Sequence, residues 1–147
     1  MALSTISVTA EGSGMKAVTE TEKGQKIITD EAVEMGGTES GANPLETLLG
    51  ALAGCETVVA NMAAKEMGIE LESLEFDIKG DFDPRGFMGE PNVCPYFQKV
   101  RITAYVATDA TEEQVEELHK KANSRCPVFT MINSTKDVEV ESRWIKS

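Results

Sequence analysis

The residues of this sequence best suited to chemistry are its three cysteines, Cys55, Cys94 and Cys126. A thiolate is a strong nucleophile that oxidises reversibly, whereas a thiol buried in apolar surroundings is inert. Cys126 stands between Arg125 and Pro127, where a cation and the N-terminus of a short helix would both favour the thiolate. An ordinary turn cysteine is the alternative, and the local sequence leaves both interpretations open.

Cys55 lies in the middle of an apolar segment, where free cysteine often packs as a small hydrophobe. The local sequence favours that packing role. No Lys or Arg occurs within one helical turn, and the next residue, Glu56, is acidic, so an activating cation has to come from elsewhere in the fold. Cys94 precedes Pro95 in a predicted loop, and we interpret it as incidental, with a third redox thiol as the alternative.

The spacing of the cysteines does not predict a metal site. The sequence has no CxxC pair, and its one histidine, His119, is not at ligand spacing from any cysteine. An amphipathic helix carries His119, which predicts a surface or boundary position. Gly12-Ser13-Gly14 is a turn rather than part of a dinucleotide motif, and the sequence has no Walker A loop. We therefore predict neither a metal nor a cofactor.

The charge of the chain restricts its partners and its compartment. A formal net charge of −11 argues against binding to nucleic acid or to an anionic membrane surface. The first ten residues, MALSTISVTA, show neither a positive region nor an apolar run, so we expect no secretory signal. The prediction is a cytoplasmic protein whose cysteines are reduced at rest, where they more often serve catalysis, metal or redox sensing than structural disulfides.

Residues 43–68 are predicted to form one long helix around which the chain is organised. Asn43 is a good N-cap, Pro44 suits the first turn and Gly68 suits a left-handed end. The segment is apolar on nearly every face, which predicts a helix buried all round. One small sheet covers only one side, so a second copy of the chain is the simplest cover for the other. Four polar residues argue against a membrane span: Glu46, Glu56, Asn61 and Lys65.

The remaining patterns give the element order βββ-α-ββ-α-β. Alternating or β-branched segments predict three early strands, two strands after the long helix and one final strand: residues 6–10, 15–21, 26–29, 71–81, 98–107 and 138–144. A capping box at Thr111–Gln114 opens the second helix, and residues 127–132 suit a short helical piece. This order predicts a single α+β domain over residues 1–147 with antiparallel sheet.

Two motifs give the chain a resemblance to the OsmC/Ohr family, the osmotically inducible and organic hydroperoxide resistance proteins. Asn43-Pro44 opens the long helix and Cys55 follows Asn43 by twelve residues, as in the first motif of that family. Cys126-Pro127 after the second helix matches the second motif. The element order also matches the family fold, so the resemblance covers essentially the whole chain.

The resemblance implies a specific chemistry. Family members are intertwined homodimers that act as thiol peroxidases in the oxidative stress response, preferentially on organic, lipid-like hydroperoxides. The resemblance makes Cys55 the peroxidatic residue, whose sulfenic acid condenses with Cys126 to a disulfide. A dithiol reductant, with lipoyl-type dithiols among the candidates, then restores both thiols, and no cofactor is needed.

The chain departs from the family pattern at two positions, which places it in a divergent OsmC-like subgroup. The hydroperoxide-resistance members carry Glu directly after Asn-Pro, where this chain has Leu45 and places its carboxylate one residue later, at Glu46. Glu46 precedes Cys55 by nine residues, about 13 Å of helix, so it would act only across a dimer. The family's early Arg is absent, and Lys16 is the residue that could replace it.

Two function classes therefore stay open. The first is a thiol-dependent peroxidase, which the presence of both motif cysteines favours. The second is a binding module of the same fold that holds a hydrophobic ligand, or a redox sensor without efficient peroxidase activity. Leu45 and Lys16, at the two departures from the family pattern, favour the second class.

Overall fold

The computed structural model describes residues 2–147, which divide into two units with the boundary between Leu48 and Leu49. The first unit contains three antiparallel strands in the order β1-β2-β3, followed by a short 3-10 helix. Their bounds are β1 Val8–Ser13, β2 Lys16–Thr21, β3 Lys26–Thr29 and the 3-10 helix Val33–Met35. The predicted three-stranded meander is confirmed.

Asp30 organises the loop that leads from β3 to the long helix. Its Oδ2 accepts hydrogen bonds from the Thr38 and Ser40 hydroxyls at 2.6 and 2.7 Å and from both of their backbone N–H groups at 3.2 Å. Its Oδ1 accepts from the Glu31 N–H at 2.8 Å. The hydrogen bonds, those from Thr38 and Ser40 first, hold the pKa of Asp30 well below its usual range. A buried carboxylate thus fixes a loop that has no regular structure.

The long helix, α1, runs from Pro44 to Met67 and begins and ends as predicted. Asn43 Oδ1 accepts a hydrogen bond from the Glu46 N–H at 2.8 Å, and Glu46 Oε1 accepts one from the Asn43 N–H at 2.9 Å. This reciprocal capping box satisfies two backbone donors that the first turn leaves free. Gly68, with φ +71°, ends the helix in the left-handed conformation.

Within one chain, α1 is buried on one side, and the second copy predicted to cover its other side stays a prediction. One stripe is buried: Leu52, Glu56, Val59, Ala60, Ala63 and Ala64. A second apolar stripe, here called the Cys55 stripe, is open to solvent: Ala51, Cys55, Val58 and Met62. Val58 is 60% exposed and Met62 is 50% exposed. The reason is that a single chain supplies only one layer of cover for this helix.

Among residues 2–147, α1 is the one helix long and apolar enough to cross a membrane by length and composition alone. The core helix of a globular protein meets the same criteria. A third of its most apolar stretch is buried, and the fully buried carboxyl group of Glu56 lies within it. A carboxyl group is costly in lipid, so these features favour the core-helix interpretation.

The second unit contains a three-stranded sheet in the order β4-β5-β6, with β4 Ser73–Asp81, β5 Lys99–Ala107 and β6 Glu139–Lys146. The β4–β5 pair is antiparallel, from Ser73 opposite Ala107 to Asp81 opposite Lys99. The β5–β6 pair is parallel, which differs from the predicted antiparallel sheet. The physical reason is the connection between them: two helices return the chain to the start of the sheet, as parallel pairing requires.

Three helices complete the second unit: α2 Pro84–Phe87, α3 Glu112–Arg125 and α4 Pro127–Ser134. The predicted capping box of α3 is confirmed, since Thr111 Oγ1 accepts from the Gln114 N–H at 3.1 Å and Gln114 Oε1 accepts from the Thr111 N–H at 2.9 Å. Helix α3 lies against β6 and α4. The short helix α2 falls inside a predicted loop, where Asp83 caps it by accepting a hydrogen bond from the Arg85 N–H at 3.0 Å.

Candidate active site

Cys55 and Cys126, far apart in the sequence, lie side by side in the second unit. Cys55 is half-buried in the middle of α1, and Cys126 is fully buried at the N-cap of α4. The two thiols are close enough for the Cys55 side chain to raise the pKa of Cys126. The turn between α3 and α4 therefore brings the second cysteine close to the middle of α1.

The environment of Cys126 favours its thiol over its thiolate. Burial is the largest cause of the raised pKa of Cys126, and the interaction with Cys55 and the charge of Glu56 act in the same direction. Together they raise the pKa of Cys126 to about 12. Cys126 Sγ accepts a hydrogen bond from the Phe129 N–H at 3.3 Å, which opposes the shift. The helix N-terminus is thus present as predicted. Of the two interpretations left open for Cys126, the structure does not favour the thiolate, because burial outweighs the helix terminus.

Arg125 does not act as the activating cation predicted beside Cys126. Its Nη1 forms an ion pair with Glu66 Oε2 on α1 at 2.9 Å. The Arg125 side chain is partly exposed, so this pair contributes little to stability. It does place the end of α3 against the last turns of α1, close in sequence to the position where Cys126 meets Cys55.

Glu56, the residue after Cys55, is the feature that sequence reasoning missed. It is 0% exposed, and neither carboxyl oxygen has a hydrogen-bond partner among residues 2–147. Burial raises the pKa of Glu56 to about 7. One signal was available in the sequence: Glu56 lies four residues from both Leu52 and Ala60, on the same buried stripe of α1.

The surface on the other side of Cys55 is open and apolar. Val58 and Met62 of the Cys55 stripe are exposed, and a side chain built at Gly54 would meet no atom within 4 Å. Cys55 thus lies between a buried stripe that leads to Cys126 and Glu56 and an exposed stripe of aliphatic side chains.

Comparison with known proteins decides the family. Residues 37–141, more than half of the chain, match the family model described as OsmC-like protein. The chain belongs to the OsmC-like protein family. The sequence relative YmaD of Bacillus subtilis (strain 168), described as uncharacterized, is 28% identical over 119 residues, which cover 74% of this chain and 72% of YmaD.

Solved structures share the fold of this OsmC-like chain over almost its full length. An OsmC-like protein from Mycoplasma pneumoniae has a TM-score of 0.83 at 17% identity, covering 97% of both chains. An organic hydroperoxide resistance protein from Elizabethkingia anophelis has a TM-score of 0.74 at 20% identity, covering 99% of both chains. OhrB of Bacillus subtilis has a TM-score of 0.65 at 23% identity, covering 99% of this chain and 100% of OhrB. At these identities the likeness shows the α+β fold.

The other two predicted site residues of this OsmC-like chain, Glu46 and Lys16, both belong to the first unit. The Glu46 carboxylate is engaged in the capping box with Asn43. Lys16 is half-buried in β2 and lines a cleft of about 450 Å³ together with Met15 and Asp30. Their predicted part in the chemistry of the cysteines stays a proposal.

Cys94 and His119 are the two remaining residues that the sequence analysis considered. Cys94 is a half-buried free cysteine whose Sγ lies 3.8 Å from the Tyr96 carbonyl oxygen. His119 is buried rather than at the surface: its Nε2 is 2.8 Å from Ser142 Oγ, and its ring stacks on Trp144. The prediction was a surface or boundary position, and the structure excludes the surface one because α3 turns His119 toward β6. Within residues 2–147 no group of three or more His, Cys, Asp or Glu side chains is placed to hold a metal ion.

Proposed function

We propose that this protein is a thiol-dependent peroxidase for organic, lipid-like hydroperoxides, with Cys55 as the attacking residue. The observation that carries the proposal is the pairing of a half-buried thiol beside an exposed apolar stripe with a second, fully buried thiol. Support comes from relatives of the same fold that are named organic hydroperoxide resistance proteins. The protein acts as one OsmC-like domain in the cytoplasm, where reductants keep its thiols ready.

In the first step the Cys55 thiolate attacks the terminal oxygen of the hydroperoxide. A sulfur–oxygen bond forms, the O–O bond breaks, and the alkoxide leaves and takes up a proton to become an alcohol. Cys55 is thereby oxidised to a sulfenic acid and the peroxide is reduced. The exposed aliphatic side chains of Val58 and Met62 hold the organic group of the substrate next to the reacting sulfur.

In the second step Cys126 attacks the sulfenic sulfur of Cys55. A disulfide bond forms, the sulfur–oxygen bond breaks, and water leaves. Full burial and a pKa of about 12 suit Cys126 to this resolving role, because a thiol that stays protonated and enclosed does not compete for the peroxide. A dithiol reductant, with a lipoyl-type dithiol as the candidate, then returns both residues to thiols by exchange.

The first test is peroxide consumption, followed by capture of the intermediate. We expect the purified protein to consume cumene hydroperoxide with a dithiol reductant. We expect Cys126→Ser to accumulate Cys55 sulfenic acid that dimedone labels, and to over-oxidise with excess peroxide, because its resolving thiol is missing. The measurement is mass spectrometry of the Cys55 peptide. Absence of both consumption and label would favour the binding-module function.

A homodimer is part of the proposal, with the substrate site at its interface: a second copy would cover the Cys55 stripe and enclose the organic group of the substrate beside Val58 and Met62. We expect sedimentation velocity at micromolar concentration to show a dimer. Val58→Asp, which puts a charge into the stripe, should shift the protein toward monomer, whereas the exposed control Glu117→Gln should not. A stable folded wild-type monomer under these conditions would contradict the dimer.

The family resemblance also assigns an activating role to Lys16 and Glu46, and we retain it as a proposal. In a dimer, Lys16 would provide the cation that α1 itself lacks around Cys55, and Glu46 would position it. Lys16 is half-buried and carries no ion pair within residues 2–147, which leaves its charge available. Substitution of Lys16 by Met is the direct check, since its loss should slow the first step alone.

A further inference from the structure

We propose that Glu56 accepts the proton of the Cys126 thiol when Cys126 closes the disulfide with Cys55, and delivers it to the leaving group. The inference rests on the proposed function, in which Cys55 is oxidised and Cys126 resolves it. It adds a residue to that site: a proton acceptor enclosed in the protein on the side of α1 that faces away from the open apolar surface.

The position of Glu56 supports this role. It follows Cys55 directly in α1, is 0% exposed, and leaves both carboxyl oxygens without a hydrogen-bond partner among residues 2–147. A buried carboxyl group without a hydrogen-bond partner destabilises a fold, so stability does not explain why a glutamate occupies this position. The thiol of Cys126 is within range of its charge, and Cys126 in turn interacts with Cys55. The three groups form one cluster.

The chemistry of Cys126 creates the need for such an acceptor. With a pKa of about 12, this thiol is almost wholly protonated at neutral pH, yet only the thiolate attacks sulfur. Solvent hydroxide reaches a fully buried sulfur poorly. A base with a pKa near 7 is well matched to remove the proton at neutral pH, and burial gives Glu56 that value. Burial alone raises the pKa of Glu56, and the titratable group on which its charge acts is the thiol of Cys126.

The step balances within this cluster. The Cys126 S–H bond breaks and its proton passes to the Glu56 carboxylate. The Cys126 thiolate then attacks the Cys55 sulfenic sulfur, the S–S bond forms and the S–O bond breaks. The departing hydroxide takes the proton from Glu56 and leaves as water, so Glu56 returns to its starting state. No reactant other than the hydroperoxide that oxidised Cys55 is consumed.

The experiment uses 5,5′-dithiobis(2-nitrobenzoic acid) on full-length protein carrying Cys94→Ser, so that two cysteines remain. Attack by Cys55 releases a first thionitrobenzoate, and closure by Cys126 releases a second from the mixed disulfide. At pH 7 we expect Glu56→Gln to leave the first phase unchanged and to slow the second about 100-fold. Glu117→Gln, an exposed carboxylate on α3, should match the parent in both phases.

A pH profile of the parent protein provides a second measurement that needs no substitution of Glu56. With Glu56 as acceptor, the second phase should level off above about pH 7, where Glu56 is ionised. A rate that instead rises tenfold per pH unit through pH 9 would show direct attack by hydroxide and overturn the proposal. A second phase in Glu56→Gln equal to that of the parent, or no second release from the parent, would also overturn it.

This assay separates the two proposals, because the disulfide reagent replaces the hydroperoxide. If the protein ignores cumene hydroperoxide but Glu56→Gln slows closure, the peroxidase function fails and the role of Glu56 stands. If the protein consumes hydroperoxide and Glu56→Gln closes the disulfide at the parent rate, the role of Glu56 fails and the peroxidase function stands.

Discussion

Cys55→Ser is expected to reduce turnover of cumene hydroperoxide by at least about 1000-fold, since a serine hydroxyl neither attacks the O–O bond nor forms a sulfenic acid. Cys126 offers no second route, because it is fully buried and its pKa of about 12 keeps it protonated. The measurement is steady-state peroxide consumption with a dithiol reductant, corrected for the reaction of that reductant alone.

The matched control is Cys94→Ser, which removes a thiol of similar exposure outside the cluster. It should turn over cumene hydroperoxide at close to the wild-type rate. Activity that persists in Cys55→Ser, or that disappears in Cys94→Ser, would contradict the assignment of the attacking residue. Circular dichroism on all variants would establish that each is folded, which is expected because serine fits the space of cysteine.

Glu56→Gln is expected to stabilise the protein at alkaline pH and much less at acid pH. In the folded protein burial raises the pKa of Glu56 from 4.5 to about 7. Between pH 4.5 and pH 7, Glu56 is therefore mostly ionised in the unfolded chain but still mostly protonated in the folded protein. Stability therefore falls as pH rises from about 4.5 to about 7, and the full penalty applies above that range. The shift corresponds to about 3 kcal/mol, which an uncharged side chain avoids.

Urea unfolding of the wild type and of Glu56→Gln at pH 5 and at pH 8.5 checks this expectation. The difference in the free energy of unfolding between the two proteins should be larger at pH 8.5 by about 2.5 kcal/mol, because a small part of the penalty already applies at pH 5. The protein concentration is held fixed, since an oligomer would make stability depend on it. The exposed control Glu117→Gln should show no such pH dependence. An equal difference at both pH values would mean that Glu56 is not a buried acid.

Sequence reasoning succeeded where a structure is encoded by neighbouring residues. The Asn43 cap, the capping box at Thr111 and the left-handed Gly68 each depend on a few adjacent positions, and the structure has all three. Alternation in residues 99–107 likewise predicted β5, in which every second side chain from Val100 to Val106 is buried. Local hydrogen bonding and side-chain periodicity are visible in a sequence.

Features that depend on distant parts of the chain were missed or misjudged. The parallel pairing of β5 with β6 depends on how two helices return the chain, which no local pattern reports. The burial of Glu56 and His119 depends on which layer covers each helix face. The pKa of Cys126 is raised rather than lowered for the same reason. The local signals, a helix N-terminus and an adjacent arginine, have a smaller effect than full desolvation.

The pairing of Cys55 with Cys126 entered through the family resemblance, because the residues alone left packing roles open for both. In the structure the α3–α4 turn brings Cys126 to Cys55, and Glu56 adds a buried carboxyl group beside them. Nothing in the sequence between the two cysteines predicts that meeting. Tertiary structure is therefore what turns two isolated thiols and one acidic residue into a candidate redox site.

The most direct test of this account is peptide mapping under non-reducing conditions after one equivalent of cumene hydroperoxide. We predict a Cys55–Cys126 disulfide, with Cys94 recovered as a free thiol. The proximity of the Cys126 thiol to Cys55 is the structural basis of that result. A Cys94–Cys126 disulfide, or three unmodified thiols after treatment, would contradict the account.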